Sequence, residues 1–286
     1  MMSIAGLTLV LLAAVCHATW NVFVKRINGG AELIWMFSVI SVLIYLPLAI
    51  WIIVVQRPVF GPWQIGFMLG TVALHLGYFL LLQTGYRKDD LSLVYPTARA
   101  TGPLLSTTFA VLVLGEIVTF QMALGAGIII FAVLMLTGGF KMGVRNLSAS
   151  LMFGVGAGMF IASYTVWDAY AVSVLLVPPL LMDYASNLGR VVVLAPVAHR
   201  RRALMWQHWA HHRTGVIVIA MFSPLAYILV LYALTFTPVA YVAPAREVSV
   251  ILTVLAGSIL LREGDLYERL GWASIALVGM ILLVLG

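Results

Sequence analysis

The chain has 286 residues and a formal charge of +6, and 63% of its residues are hydrophobic whereas only 9% are charged. A soluble domain has about 25% charged residues, so this composition excludes a chain that water solvates over most of its surface. The single cysteine excludes a disulfide framework within the chain. The basic residues are scattered between apolar runs and predict no nucleic-acid partner.

Ten apolar runs predict ten membrane-spanning helices, because about 20 apolar residues cross a bilayer. These runs lie near residues 4–24, 33–55, 62–83, 91–113, 118–138, 148–168, 175–197, 214–234, 239–260 and 268–285. No Lys or Arg precedes the first run, so we interpret it as a retained span and not as a signal peptide. The predicted fold class is an all-α, polytopic membrane protein.

The basic residues of the connecting loops predict the orientation of the chain. They follow the odd-numbered spans, whereas the loops after the even-numbered spans contain Arg57 alone. Short loops rich in Lys and Arg stay in the cytoplasm. We therefore expect a multi-pass protein of a bacterial-type inner membrane, with cytoplasmic basic loops and both termini outside.

A stretch of the fourth span has a counterpart in the ninth. YPTARATGP at 95–103 contains Arg99, and VAPAREV at 242–248 contains Arg246. Proline removes a backbone donor and disturbs a helix, so Pro96, Pro103 and Pro244 predict that helices 4 and 9 are broken and act as gates. A simple kink that serves packing is the alternative.

The matching stretches indicate that the chain is duplicated. A unit of five helices is odd-numbered, so the second copy would be inverted in the bilayer, and the charges of the loops invert as well. We predict two inverted five-helix repeats, residues 1–143 and 144–286, around a central cavity. Such repeats are typical of carriers that work by alternating access.

This layout resembles the drug/metabolite transporter superfamily, specifically its ten-helix EamA-type exporters. The resemblance rests on the five-plus-five arrangement, on TWNVFVK at the end of helix 1, and on LGE and LRE, which hold Glu116 and Glu263. It implies a central cavity lined mainly by helices 1, 3, 4, 6, 8 and 9, and export of amino acids, metabolites or drugs without ATP. The aromatic-rich spans are most similar to those of aromatic amino acid exporters.

Arginines inside spans are the strongest site candidates, because such a charge costs about 2.5–3.5 kcal/mol and is usually functional. Arg99 could hold a substrate carboxylate through two parallel hydrogen bonds. An internal ion pair that ties helices together is the alternative. Arg246 is the second candidate, and the adjacent Glu247 is expected to neutralise its surroundings.

Aromatic side chains on the predicted inner faces could stack on a flat substrate or hold a cation. Besides the two arginines, the predicted substrate-binding residues are Trp20, His75, Tyr78, Tyr95, Tyr164 and Tyr227. A position in the interfacial aromatic belt is the alternative for those near helix ends.

Energy coupling would need a group that changes its charge. The candidates are His17, His75, Asp168 and Glu247, of which His75 and Glu247 are preferred. Histidine is the side chain that titrates near neutral pH when unperturbed. Asp168 lies at the end of predicted helix 6, next to a loop, and is expected to be solvated. Facilitated diffusion without coupling is the alternative.

These features predict a secondary or facilitative carrier that exports small amphipathic metabolites, with aromatic or apolar amino acids as the expected substrates. The expected partners are this small molecule and the lipid bilayer. The sequence leaves the oligomeric state open, with a monomer as one option. The sequence contains no Walker A and no HExxH motif. We expect no cofactor and no metal, and we interpret His208, His211 and His212 as a solvated interfacial segment.

Two other functions remain open at this point. A multidrug exporter of aromatic cations would depend on Asp or Glu and would tolerate the loss of Arg99. An intramembrane enzyme would need a nucleophile and a base, for which His75 with Ser106 is the best pair.

Overall fold

The computed structural model describes residues 2–27, 29–88, 91–136, 147–261 and 266–286. For residues 25, 79, 82–88, 91–96, 147–150, 257, 258, 260, 261 and 266 it describes the backbone alone. The helices are α1 (Ile4–Ile27), α2 (Ala31–Trp51, extended by a π-helical turn over Ile52–Gln56), α3 (Pro62–Lys88), α4 (Leu91–Leu114), α5 (Phe120–Leu136), α6 (Leu147–Ser173), α7 (Pro179–Arg200), α8 (Arg202–Leu234), α9 (Val239–Ala245), α10 (Val248–Leu261) and α11 (Leu266–Leu285).

The predicted all-α, polytopic class is confirmed. Each of the ten predicted spans falls on a helix, and the ninth is divided between α9 and α10. Seven helical spans within the described ranges are long and apolar enough to cross a membrane.

The outer surface of the helices is apolar, as a lipid solvent requires. Leu112 is 75% exposed, Val192 is 70% exposed and Phe120 is 85% exposed. Water would penalise such a surface by about 25 cal/mol for each Å², whereas lipid tails do not. The helices are therefore hydrophobic all round and bury their few polar groups inside the bundle.

The fourth span is one continuous helix, so the predicted break there is wrong. α4 runs through Pro96 and Pro103 without interruption, and the side chain of Pro96 lies outside the described side chains. Close packing against α6 supports the helix at this point, because a Cβ atom on Gly158 would lie 3.0 Å from the backbone nitrogen of Gly102. Helices in membranes tolerate proline where neighbouring helices support the backbone.

The ninth span is interrupted in the protein interior. α9 ends at Ala245 and α10 begins at Val248. Pro244 lacks a backbone donor, and the N–H of Glu247 bonds at 3.0 Å to the carbonyl oxygen of Pro244, three residues earlier. All residues over 239–250 are buried, so this irregular backbone is shielded from lipid.

The helices pack in a pattern that relates the two halves of the chain. α4 packs on α6, α1 packs on α8 and on α10, and α3 packs on α6. α5 packs on α11, and α2 packs on α7. Exchanging predicted counterparts (α1 with α6, α2 with α7, α3 with α8, α4 with α9–α10, and α5 with α11) converts these contacts into one another.

The basic segment before the eighth span docks onto α2. Arg201 Nη1 lies 2.9 Å from Glu32 Oε2, and His208 Nε2 lies 3.7 Å from Glu32 Oε1. α8 then bends at His212, whose φ is −134°. His211 and His212 are exposed as expected, whereas the side chain of His208 is only 15% exposed, so the prediction of solvation is wrong for His208.

The α5–α11 interface depends on two glycines. A Cβ atom on Gly125 would lie 2.5 Å from the backbone nitrogen of Leu283 and 2.7 Å from the carbonyl oxygen of Gly279. Both atoms belong to the backbone, so neither can rotate away. Small residues at such contacts let two membrane helices approach closely.

Gly125→Ala should therefore lower the stability of the purified protein, by about 1–3 kcal/mol as for other overpacked cores. Gly127→Ala on the same helix is the matched control, because a Cβ atom there meets nothing within 4 Å. Unfolding in detergent, followed by circular dichroism, measures the difference. Equal stability of the two variants would show that the helices are not in close contact.

Candidate functional site

Two of the predicted charged residues form an ion pair at the junction of α9 and α10. Arg99 Nε on α4 lies 3.4 Å from Glu247 Oε2, and their side chains are 10% and 1% exposed. This contact joins the first half of the chain to the second. It agrees with the alternative stated above for Arg99, an internal ion pair that ties helices together. The guanidinium that contacts Glu247 is that of Arg99 and not that of the adjacent Arg246.

Arg246 is a second buried cation at this junction, and it does not take part in the Arg99–Glu247 pair. Arg246 lies at the end of α9 and is 9% exposed. Among the described residues, its side chain makes no hydrogen bond or ion pair. It interacts with Glu247 only at longer range. A guanidinium carries five N–H donors, so Arg246 can donate hydrogen bonds to an acceptor on a bound molecule.

Four of the predicted aromatic residues form one cluster, which we call the aromatic cluster: His75, Tyr78, Tyr164 and Tyr227. His75 and Tyr164 are stacked with ring centroids 4.2 Å apart. Tyr227 meets His75 edge to face at 5.2 Å, and Tyr78 meets Tyr164 in the same way at 5.9 Å. The cluster joins α3, α6 and α8. The charge of Arg246 acts electrostatically on three of its members, His75, Tyr164 and Tyr227.

Asp168 lies beside the aromatic cluster and is fully buried, so the prediction of solvation is wrong. The reason is the length of α6, which continues to Ser173 and places Asp168 more than one turn inside the helix. Asp168 Oδ2 accepts hydrogen bonds from Tyr227 and, at 3.1 Å, from Thr71 Oγ1. Asp168 Oδ1 has no partner among the described atoms.

His75 gives no hydrogen bond to this carboxylate. Its Nδ1 lies 2.9 Å from the carbonyl oxygen of Thr71, which can only accept, so Nδ1 carries the hydrogen. In the neutral ring Nε2 is then without a hydrogen, and it lies 4.0 Å from Asp168 Oδ2. The carboxylate is therefore stabilised by two hydroxyl groups alone.

Glu116 caps the N-terminus of α9, a role that sequence reasoning missed. Its two oxygens accept from the backbone N–H groups of Val239 at 2.7 Å and Ala240 at 2.8 Å. Gly115 adopts a φ of +69° at the end of α4, and the N–H of Glu116 returns to the carbonyl oxygen of Ala110, six residues earlier. The LGE motif is visible in the sequence, but the motif does not indicate which helix Glu116 caps.

The other predicted residues have different surroundings. Trp20 meets His17 edge to face at 5.0 Å on α1, and its Nε1 is buried without an acceptor among the described groups. The side chain of Tyr95 lies outside the described side chains. Ser106 donates to the carbonyl oxygen of Gly102 at 2.8 Å and makes no hydrogen bond with His75, so the nucleophile and base pair considered above is not assembled.

Two cavities lie between helices that also contribute to the polar centre. One cavity of about 340 Å³ lies between α4, α5 and α9, and another of about 510 Å³ lies between α3, α4 and α6. The larger is lined by aromatic and apolar side chains such as Phe67, Phe109 and Trp167. Neither of these two cavities is lined by the arginines or by the aromatic cluster. A central cavity lined by those residues stays a prediction.

These features define a multi-pass membrane protein with charged and aromatic groups buried at its centre. Residues 4–138, slightly less than half of the chain, match the EamA-like transporter family. A search among curated proteins gave no match. A crystal structure of another protein superposes with a TM-score of 0.71 at 12% identity, over 97% of this chain and 98% of that one, which shows a shared fold.

The ion pair generates a stability prediction. Arg99→Gln should destabilise the protein by about 3–5 kcal/mol, because it leaves Glu247 buried without its cation. Adding Glu247→Gln should recover part of that loss. Arg246→Gln is the control, since it removes a cation that has no ion-pair partner, and it should not destabilise. Unfolding in detergent measures all four proteins, and an Arg99→Gln variant as stable as the parent would contradict a structural role of the pair.

Proposed function

We propose that the protein is a carrier that exports small amphipathic carboxylates, with aromatic or apolar amino acids as substrates, by alternating access. The observation that carries this proposal is Arg246, a buried guanidinium without an acceptor among the described residues, whose charge acts on three members of the aromatic cluster. A carboxylate can accept two parallel hydrogen bonds from it. The pairing of Arg99 with Glu247 favours Arg246 over Arg99 for this contact.

The aromatic cluster would receive the apolar part of the substrate. Tyr164 and His75 offer flat faces, and Tyr78 and Tyr227 offer ring edges. A substrate ring stacked in this region would replace contacts that the four side chains now make with each other, and each aromatic pair contributes about 0.5–1.5 kcal/mol beyond its burial. The aromatic-rich spans of the sequence, on which the expected similarity to aromatic amino acid exporters rests, favour the same substrates.

Alternating access would follow from two inverted repeats, residues 1–143 and 144–286. Support comes from the helix contacts, which are exchanged when the predicted counterparts are exchanged. The proposed site is the region where α4 meets the α9–α10 junction, which the Arg99–Glu247 contact joins, and carriers with inverted repeats bind substrate where the repeats meet. Pro244 and Pro103 stay the predicted hinges with Pro96, and His75 and Glu247 stay the predicted coupling groups.

The substrate claim predicts transport by the purified protein. Labelled phenylalanine or tryptophan should enter liposomes that contain the protein faster than it enters empty liposomes. Arg246→Gln should lower this uptake about tenfold or more, since a charged hydrogen bond is lost. Arg57→Gln, at an exposed arginine between α2 and α3, is the control and should leave uptake unchanged. Uptake at the rate of empty liposomes would sink the claim.

The predicted orientation has its own test. Alkaline phosphatase fused to either end should be active, because both termini are expected outside an inner membrane and the enzyme folds only there. Fusions after Arg26 and after Arg200 should be inactive, since the basic loops are expected in the cytoplasm. Ends on opposite sides of the membrane would contradict an even number of spans and the inversion of the repeats.

Export of aromatic cations is the second candidate function, and the buried carboxylate of Asp168 favours it. A carboxylate beside four aromatic rings suits a cation through charge and through the ring faces. The two functions differ at Arg246, because a substrate without a carboxylate gains nothing from it. Competition of labelled phenylalanine by a quaternary aromatic cation decides between them.

A further inference from the structure

We propose that Asp168 binds the ammonium group of the substrate, so that the carrier selects zwitterions over simple carboxylates and simple amines. This inference deepens the proposed function and rests on it. The starting observation is a carboxylate oxygen, Asp168 Oδ1, that is buried without a partner in a residue with 0% exposure.

The other oxygen of Asp168 is held by built contacts. Thr71 from α3 donates to Oδ2 at 3.1 Å, and Tyr227 from α8 donates to the same atom. Two hydroxyl groups from two helices therefore fix the carboxylate on α6 and leave Oδ1 as its open acceptor. A fixed carboxylate with one open oxygen is the arrangement that a protonated amine requires.

The surrounding titratable groups do not supply the missing cation. His75 lies 4.0 Å away through a nitrogen that carries no hydrogen in the neutral ring. Tyr227 is neutral and already donates to Oδ2. Arg246 and Asp183 act on Asp168 only at longer range, so Arg246, the cation among these groups, does not contact the Asp168 carboxylate.

The charges at the centre of the protein point to the class of substrate. Arg99 and Glu247 neutralise each other as an ion pair, and Asp183 and Arg190 act on each other along α7. Arg246 and Asp168 remain, one positive and one negative. Among the described residues Arg246 contacts no carboxylate, and the basic side chain near Asp168 is the His75 ring, at 4.0 Å. A zwitterion satisfies both groups at once, whereas a simple acid leaves Asp168 unpaired and a simple amine leaves Arg246 unpaired.

The aromatic cluster places an apolar group beside this pair of charges. Tyr227 links the two features, because its hydroxyl donates to Asp168 while its ring edge meets His75. The substrate that uses all of these groups has an ammonium, a carboxylate and an aromatic or apolar side chain. Ring faces next to the ammonium add a further attraction for the cation.

Three probes of similar shape test this inference with the full chain in liposomes: phenylalanine, 3-phenylpropionate, which lacks the amine, and phenethylamine, which lacks the carboxylate. The parent protein should transport phenylalanine at least tenfold better than either. Asp168→Asn should lower phenylalanine transport about tenfold or more and should leave 3-phenylpropionate transport equal or higher, so that the preference is lost. Arg246→Gln should instead spare phenethylamine.

Asp183→Asn is the matched control, because Asp183 is also a buried carboxylate and has its own partner, Asn187 Nδ2, at 2.8 Å. It should keep the preference for phenylalanine. If Asp168→Asn does not fold, Tyr227→Phe is the second variant, because it keeps the carboxylate and removes one donor that fixes it. Tyr227→Phe should raise the KM for phenylalanine several-fold and leave the KM for 3-phenylpropionate unchanged.

Each remaining outcome counts against the inference. If Asp168→Asn or Tyr227→Phe lowers transport of phenylalanine and 3-phenylpropionate by the same factor, the carboxylate has a structural or proton-carrying role and the inference is overturned alone. If the parent protein moves none of the three probes faster than empty liposomes do, the proposed function falls and the inference falls with it.

Discussion

A buried charge in a membrane protein must find a counter-charge, because removing an ion from water costs several kcal/mol. The Arg99–Glu247 pair meets this constraint with one group from each half of the chain. The pair therefore belongs to the scaffold that holds α4 against the α9–α10 junction. It also determines which charges are left for function, namely Arg246 on the same junction and Asp168 on α6.

The short helix α9 is held at both ends by the first half of the chain. Glu116 caps its N-terminus through two backbone N–H groups, and Arg99 binds Glu247 just after its C-terminus. Negative charge at a helix N-terminus is favourable. Any movement of α9 relative to α4 must break these contacts or carry the first half along, which couples the centre of the protein to the motion expected of a carrier.

Much of this arrangement could be predicted from patterns along the chain. Hydropathy located every span, and the exposed apolar surface explains why that signal is strong in a lipid solvent. Spacing on helix faces brought His75, Tyr78, Tyr164 and Tyr227 together correctly, because side chains three or four residues apart share a face. Helix ends were less predictable: an α6 extended by five residues buried Asp168, which short-range hydropathy could not reveal.

Contacts between the halves could not be predicted at all. Proline indicated a break in helix 4 that packing against α6 prevents, and the partner of Glu247 is Arg99, distant in sequence, although Arg246 is its neighbour. The most direct test is a cryo-electron microscopy structure with bound phenylalanine. We predict its carboxylate on Arg246, its ammonium on Asp168, and Arg99 still paired with Glu247. A carboxylate bound to Arg99 with Glu247 displaced would contradict this account.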